Sequence, residues 1–317
     1  MPFFFCFSRL AASQRAIALM LRVIAGVWAF IAAVALANFF GWLPSVRLAS
    51  HLLHDAGSAG PWTKYAFVSR DVVLGPLGYN QMYIANQMTL LGVLLAFGKR
   101  RTALVRSVIL FLTFIIVFLS GSRAGLVAFL CALVMALVAA RWRVLLLLGM
   151  AGALLLILSA APPRWVDLAE PAIERQGALA RLEEAGSYSG RVEIWEEKLS
   201  YLRQDPSVLL FGVGWGGIGT TGDNAHMLPL QVLMETGLFG LLFFLFLFRA
   251  LLRALGRSGV MGQGIAVATL GLFVASLTQE TFYPVPATGS FLGLYLALCG
   301  LSAARKDDET VRSGGSA

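Results

Sequence analysis

Long, nearly uninterrupted apolar runs dominate this chain, and short polar segments separate them. An α-helix rises about 1.5 Å per residue, so an apolar helix of about 20 residues crosses a hydrocarbon core about 30 Å thick. The pattern therefore predicts an all-α, polytopic transmembrane helical bundle that forms a single integral membrane domain over residues 1–317. The predicted spans cover about residues 16–41, 81–98, 102–120, 124–140, 144–161, 227–248, 260–279 and 286–304.

Composition supports a membrane protein, and the distribution of charge predicts how the chain is oriented in the membrane. The chain is 58% hydrophobic and 13% charged, which is too apolar for a water-soluble domain. With the N-terminus inside, the inner segments hold 15 of the 25 basic residues and 3 of the 17 acidic ones, as the positive-inside rule requires. Residues 162–226 are then a long periplasmic loop with amphipathic helices, and residues 305–317 are a cytoplasmic tail. The net charge of +8 reflects topology, so no nucleic-acid partner is expected.

A turn of small residues, SGSRAG at residues 120–125, joins the third and fourth predicted spans. Its small side chains allow the backbone to turn tightly at the outer surface. Arg123 within it has two equally supported interpretations: an anchor at the membrane interface, or a fixed cation for an anionic ligand.

The periplasmic loop contains an amphipathic helix that begins near Arg191 and ends before Pro206. Helical spacing places four apolar residues on one face and three glutamates opposite, so the helix should lie flat on the membrane or on the bundle. Arg191 precedes Trp195 by one turn. It either packs on the indole or is braced by it toward a phosphate, and the spacing leaves both roles open. The apolar face comprises Val192, Trp195, Leu199 and Leu202, and the acidic face comprises Glu193, Glu196 and Glu197.

Three glycines, Gly212, Gly214 and Gly217, follow this helix. No strand-helix-strand unit surrounds them, so they predict a tight turn rather than a dinucleotide site.

Polar residues then collect at the mouth of the sixth predicted span. Asp223, Asn224 and His226 lie at its start, Glu235 lies about two and a half turns further in, and Glu280 follows the seventh span. Ionisable groups at membrane depth are costly, which makes them candidates for function.

Taken in order, these motifs resemble those of the O-antigen ligase and Wzy polymerase superfamily. The resemblance covers roughly residues 80 to 300 and rests on SGSRAG, R-x-x-x-W, GVGWGG, the histidine at a span mouth and ETGLFGLLFF. It implies a GT-C-type membrane glycosyltransferase of the bacterial inner membrane, active on the periplasmic side in cell-surface polysaccharide or lipopolysaccharide biosynthesis. It further implies a glycan donor linked to undecaprenyl diphosphate, a glycan or lipid A core acceptor, membrane lipids as surroundings, and no metal or other cofactor.

The resemblance also assigns roles to residues. By motif position, Arg123 and Arg191 would bind the diphosphate and His226 would be the general base. Supporting or acceptor contacts would come from Trp195, Asp223, Asn224, Glu235, Glu280 and, by a looser match, Asn80.

Ligase and polymerase activity stay open as alternatives. Among other classes, a transporter would be expected to place ionisable groups at mid-membrane or show inverted repeats, and a scaffold would have no reason to collect Arg, His and Glu on one side.

Overall fold

A computed structural model of the chain describes eight stretches, all but one of them wholly or largely helical. Within these stretches the structure contains no strand. The helices are α1 (Gln14–Phe39), α2 (Gln81–Phe97), α3 (Ala103–Leu119), α4 (Arg123–Ala139), α5 (Arg191–Gln204), α6 (Pro206–Phe211), α7 (Leu228–Arg257) and α8 (Gly259–Ser276). The described residues are 14–39, 81–97, 102–139, 173, 191–214, 224–278, 281–282 and 295–300.

Apolar helices occupy the positions that the hydropathy pattern predicts. Three of them, Ala18–Ala37 in α1, α7 and α8, are long and apolar enough to cross a membrane by length and composition, and α2, α3 and α4 contain shorter apolar helices. The chain is thus a helical membrane protein. The predicted span at 144–161 lies outside the described residues, and of the span at 286–304 the structure describes only the helical residues 295–300.

Helix α2 lies at the centre of the bundle, with residues 84–96 buried on all sides. It packs against α1, α3, α4 and α8. Small residues allow these close approaches: a methyl group added at Gly92 would overlap Thr113, and one at Gly125 would overlap Ala85. Because lipid tails supply little hydrophobic drive between helices, such close contact is a main source of association in membranes.

Helix α7 is broken at Gly237, whose φ of 68° and ψ of −172° are not helical. The part before the break is mostly buried, whereas the part after it exposes Leu242, Phe243 and Phe246, as expected for a face against lipid. This second part continues to Arg257, beyond the predicted end of the span at residue 248. Arg249 and Arg253 therefore lie on the last turns of a helix rather than in a loop, and the turn into α8 is at Ser258.

The break yields a prediction for Gly237→Ala. The backbone conformation at Gly237 is essentially restricted to glycine, and a methyl group there would overlap the backbone of Leu210. We expect this variant to lose at least 1–3 kcal/mol of stability, the usual cost of such strain, and to unfold at a clearly lower temperature in detergent.

Gly256→Ala in the same helix is the matched control, since a methyl group there meets nothing within 4 Å. Alanine is favoured over glycine in helices, so this variant should be as stable as the parent or more so. Equal unfolding temperatures for the two variants would contradict the assigned break.

Candidate functional site

Helix α5 turns a different face to the interior than its apolar pattern predicts. Glu193, Glu196 and Glu197 are exposed, as expected. Val192 and Leu199, however, are 39% and 42% exposed.

The buried position between Trp195 and Leu202 is taken instead by Lys198, which is 1% exposed. The neighbouring helix explains this. Leu202 packs with Leu230 and Met234 of α7, and Lys198 lies one turn before Leu202 on the same face of α5, so it is buried too although it is charged. The glutamate face is exposed, as predicted. Val192 and Leu199 do not pack against α7, and contact of this face with the membrane, the other alternative for the helix, stays a prediction.

Trp195 ties α5 to the segment that carries the histidine. Its indole Nε1 donates a hydrogen bond of 2.8 Å to the carbonyl oxygen of Ala225, the residue before His226. Arg191 begins the same helix one turn earlier and is half-buried. The tryptophan thereby fixes the spacing between the helix that begins with Arg191 and the segment that holds His226.

His226 itself has a positive φ of 48° and is half-buried. Such a conformation is uncommon for a residue with a side chain and persists where the surrounding structure holds it. Strained residues of this kind concentrate at functional sites, so the backbone at His226 supports the interpretation of this position as a site.

A second set of hydrogen bonds holds the same segment from the side of α7. The amide of Ala225 donates to Gln231 Oε1 at 2.8 Å, and Gln231 Nε2 donates to Glu235 Oε1 at 3.0 Å. Both side chains are almost fully buried, at 1% and 2% exposure. The peptide groups of Ala225 are therefore bonded to α5 on one side and to α7 on the other.

Gln231 is a site residue that the sequence analysis missed. The available signal was its position four residues before Glu235, since residues at i and i+4 share a helix face. A polar pair on one face of an otherwise apolar span is a reason to look for a buried network.

The glycine-rich turn after α5 lies against the break in α7. Val213 N donates to the carbonyl oxygen of Met234 at 2.9 Å, and Gly214 N donates to that of Glu235 at 3.0 Å. A side chain at Gly212 would overlap the backbone of Glu235, which explains the glycine there. The predicted turn is confirmed for Gly212 and Gly214, whereas Gly217 lies outside the described residues.

The short helix α6, which the sequence analysis did not predict, leads into this turn. Asp205 caps it by accepting hydrogen bonds from the Ser207 hydroxyl at 2.5 Å and the Ser207 amide at 3.0 Å, with Pro206 at the first helical position. These bonds from Ser207 lower the pKa of the Asp205 carboxyl, which keeps it ionised as a cap.

Arg123 is the first residue of α4, after a turn that matches the prediction for SGSRAG. Gly121 has a φ of 66°, and Ser122 Oγ accepts a hydrogen bond from Gly125 N at 3.2 Å, which caps the new helix. The arginine is half-buried.

Helix packing places Arg123 level with the break in α7. A methyl group at Gly271 of α8 would overlap Ala128 of α4, and both helix ends lie five residues, or about 7.5 Å, from this contact. Asn86 of α2 lies next to Ala85, which contacts Gly125, and bonds to Thr281 just after α8, so the start of α4 and the end of α8 lie at the same end of the bundle. Since α7 and α8 form a hairpin that turns at Ser258, Gly237 is close to the same level.

Contacts also run continuously from the Arg123 region to α7. Asn86 Nδ2 of α2, beside the Ala85–Gly125 contact, donates to Thr281 Oγ1 at 3.4 Å. The neighbouring Phe282 packs against Leu228 and Val232 at the start of α7. One end of the bundle thus carries Arg123 together with the segment of His226.

Three of the predicted supporting residues, Asn80, Asp223 and Glu280, lie outside the described residues. Asn224 is exposed next to Ala225, and Glu235 is buried at the break. Within the described stretches no group of three His, Cys, Asp or Glu residues is arranged to hold a metal ion.

Comparison with known families gives one match. Residues 108–245 match the family described as O-antigen ligase, Wzy_C, a range that contains α4, α5, α6, the break in α7 and the residues Arg123, Arg191 and His226. Comparison with curated proteins gives no match. This match supports membership of the O-antigen ligase and Wzy polymerase superfamily, whose proteins are membrane-embedded.

Proposed function

We propose that this protein is a metal-independent glycosyltransferase that moves a glycan from undecaprenyl diphosphate to an acceptor on the periplasmic face of the bacterial inner membrane. The family match at residues 108–245 supports activity of the O-antigen ligase or polymerase type in general. The observation that carries the specific proposal is the Trp195–Ala225 hydrogen bond, because it joins the helix of Arg191 to the segment of His226.

The basic end of α7 supports the orientation. Arg249, Arg253 and Arg257 lie near its C-terminal end, while the break at Gly237 and the His226 segment lie toward its N-terminal end. Basic residues favour the cytoplasmic side, so the site would face the periplasm.

Arg123 and Arg191 would hold the donor diphosphate. A guanidinium matches two phosphate oxygens at once, and its fixed charge stabilises the negative charge that grows on the leaving diphosphate. Both arginines lie at helix starts at the end of the bundle that carries the His226 segment, where the headgroup of a lipid-linked donor would be.

His226 would act as the general base. The acceptor hydroxyl oxygen attacks the anomeric carbon of the donor sugar, and its proton passes to the imidazole. The bond from that carbon to the phosphate oxygen breaks, and its electron pair leaves with the diphosphate on the carrier lipid. A neutral imidazole is suited to this proton transfer near neutral pH.

Gln231 and Glu235 would position the base rather than react. Their hydrogen bonds fix the Ala225 peptide from the α7 side, which limits the orientations open to His226. Catalytic groups act best when their supports leave them a single geometry.

A polymerase of the same superfamily is the second candidate, and it differs in the acceptor. The glycan profile of a deletion strain tests both. For a ligase we expect long carrier-linked chains to accumulate unattached, and restored attachment when the wild-type gene is returned. Loss of chain length would instead indicate a polymerase, and an unchanged profile would contradict both.

If both arginines bind the diphosphate, removing the side chain should lower the transfer rate more than replacing it with lysine. Arg191→Ala should lower the transfer rate about 30- to 1,000-fold, the cost of about 2–4 kcal/mol of transition-state stabilisation, and Arg123→Ala should behave alike. Lysine at either position should rescue only in part, because it keeps the charge and loses the two-pronged contact.

Arg203→Ala is the matched control, since Arg203 is an exposed arginine in the last turn of the same helix α5. Its transfer rate should stay within about twofold of the parent. Full activity in Arg191→Ala would reduce Arg191 to a packing partner of Trp195.

The general-base role predicts that His226→Ala and His226→Gln lower transfer by about 100- to 10,000-fold, while both variants still insert into the membrane. Glutamine keeps hydrogen bonding but cannot take the proton, so it separates catalysis from positioning.

His226→Gly provides a stability control, because glycine adopts the positive φ at this position without strain. It should unfold at the same or a higher temperature than the parent and still be inactive. Near-normal transfer by the glutamine variant would remove His226 as the base and make Glu235 or Glu280 the better candidate.

A further inference from the structure

A small cavity with no role in the proposed reaction lies between α5 and α7. Its volume is about 220 Å³, and its walls are Glu197, Lys198, Ser200, Tyr201, Gln204 and Met234. Glu197, Ser200 and Gln204 are exposed at its rim, Tyr201 is half-buried, and Lys198 is buried. The cavity is therefore open to the periplasmic side of the proposed topology.

The cavity lies next to the proposed active site, further along α5. Glu197, Ser200, Tyr201 and Gln204 share one helix face, at spacings of three and four residues. Tyr201 follows Trp195 by six residues, which is about 9 Å along the helix axis. Met234, on the opposite wall, directly precedes Glu235. If the reacting sugar of a glycan lies at His226, another sugar of the same glycan chain would reach this cavity.

The lining has the chemistry that a sugar ring requires. Sugars present hydroxyl groups that both donate and accept hydrogen bonds, together with apolar C–H faces. Here the ammonium, carboxylate, hydroxyl and amide groups of Lys198, Glu197, Ser200 and Gln204 supply both kinds of partner. The half-buried Tyr201 ring supplies apolar surface. A few convergent polar groups on an apolar floor are typical of small-ligand sites.

The charged groups that line the cavity indicate whether it favours a neutral or an acidic sugar. Lys198 Nζ lies 3.3 Å from Glu197 Oε1, so the two charges in the cavity offset each other. Gln204 Nε2 donates to Ser200 Oγ at 3.1 Å, which orders the remaining rim. A wall without net charge favours a neutral sugar over an acidic one.

We propose that this cavity binds one neutral sugar residue of the glycan, away from the sugar that reacts. The proposal rests on the proposed function and adds a subsite to it. The bound sugar belongs either to the donor glycan or to the acceptor glycan, and both present the same chemistry to the cavity.

Ser200→Trp tests the proposal by filling the cavity from an exposed position. Arg203→Trp is the matched control, because it adds the same side chain to an exposed position of the same helix that does not line the cavity. With substrates that carry the complete repeat unit, Ser200→Trp should raise KM at least about 10-fold with little change in kcat, and Arg203→Trp should leave both unchanged. Lys198→Met, of similar volume, should raise KM in the same way. An unchanged KM in both Ser200→Trp and Lys198→Met would overturn the proposal.

Truncated substrates distinguish the two sources of the sugar. If the cavity holds a donor sugar, Ser200→Trp and the parent should have equal KM values for a polyprenyl diphosphate that carries one sugar. If it holds an acceptor sugar, the difference should vanish with a shortened acceptor. A KM effect of equal size with both truncated substrates would show that the variant acts outside a sugar subsite.

Direct binding separates this proposal from the proposed function. Saturation-transfer NMR on the full chain in detergent would use the neutral oligosaccharide of the repeat unit, released from its carrier. Contact with the parent and Arg203→Trp, but not with Ser200→Trp, would support the subsite whether or not transfer occurs. Contact without any transfer by the parent would defeat the proposed function alone. Absence of contact with the parent would overturn the subsite.

Discussion

The break in α7 at Gly237 is the constraint on which the arrangement of the site depends. A backbone carbonyl without a hydrogen bond costs several kcal/mol in an apolar environment, so a helix there is interrupted only where other groups take over its bonds. In a regular helix the carbonyls of Met234 and Glu235 would bond to the amides four residues later. Here Val213 N and Gly214 N bond to them. The break and the glycine-rich turn therefore require each other.

The two segments meet so closely that each needs a glycine. A side chain at Gly212 would overlap the backbone of Glu235, and one at Gly237 would overlap that of Leu210. This reciprocal contact fixes α6, and α5 precedes α6 by only Asp205. The break in one helix thus sets where α5, with Arg191 and Trp195, can lie. From there the Trp195–Ala225 bond reaches the residue before His226.

Sequence patterns predicted the helices well because membrane insertion depends on the length and apolarity of each run. The starts of α2, α4 and α8 fall within one residue of the predicted span limits. The same reasoning missed the break in α7, because a glycine in an apolar run does not reveal which segment will approach it. It also missed that Lys198 is buried while Leu199 is not, since a neighbouring helix selects the buried face. Motifs made Arg123, Arg191 and His226 candidates, whereas Gln231 became a candidate only through its two hydrogen bonds.

Buried polar groups in an apolar bundle cost desolvation free energy, so their arrangement is informative. Gln231 and Glu235 are almost fully buried. Gln231 accepts a hydrogen bond from the Ala225 amide and donates one to Glu235, so the pair restricts a peptide that would otherwise be free to change conformation. Trp195 holds the other side of the same residue, and the positive φ of the adjacent His226 persists between these restraints. Stability alone would be served by apolar side chains at residues 231 and 235. A network that holds the residue before this strained histidine from two helices restricts where His226 itself can lie. Such restriction matters wherever a side chain takes part in a reaction, because errors in placement of about 1 Å reduce catalysis strongly.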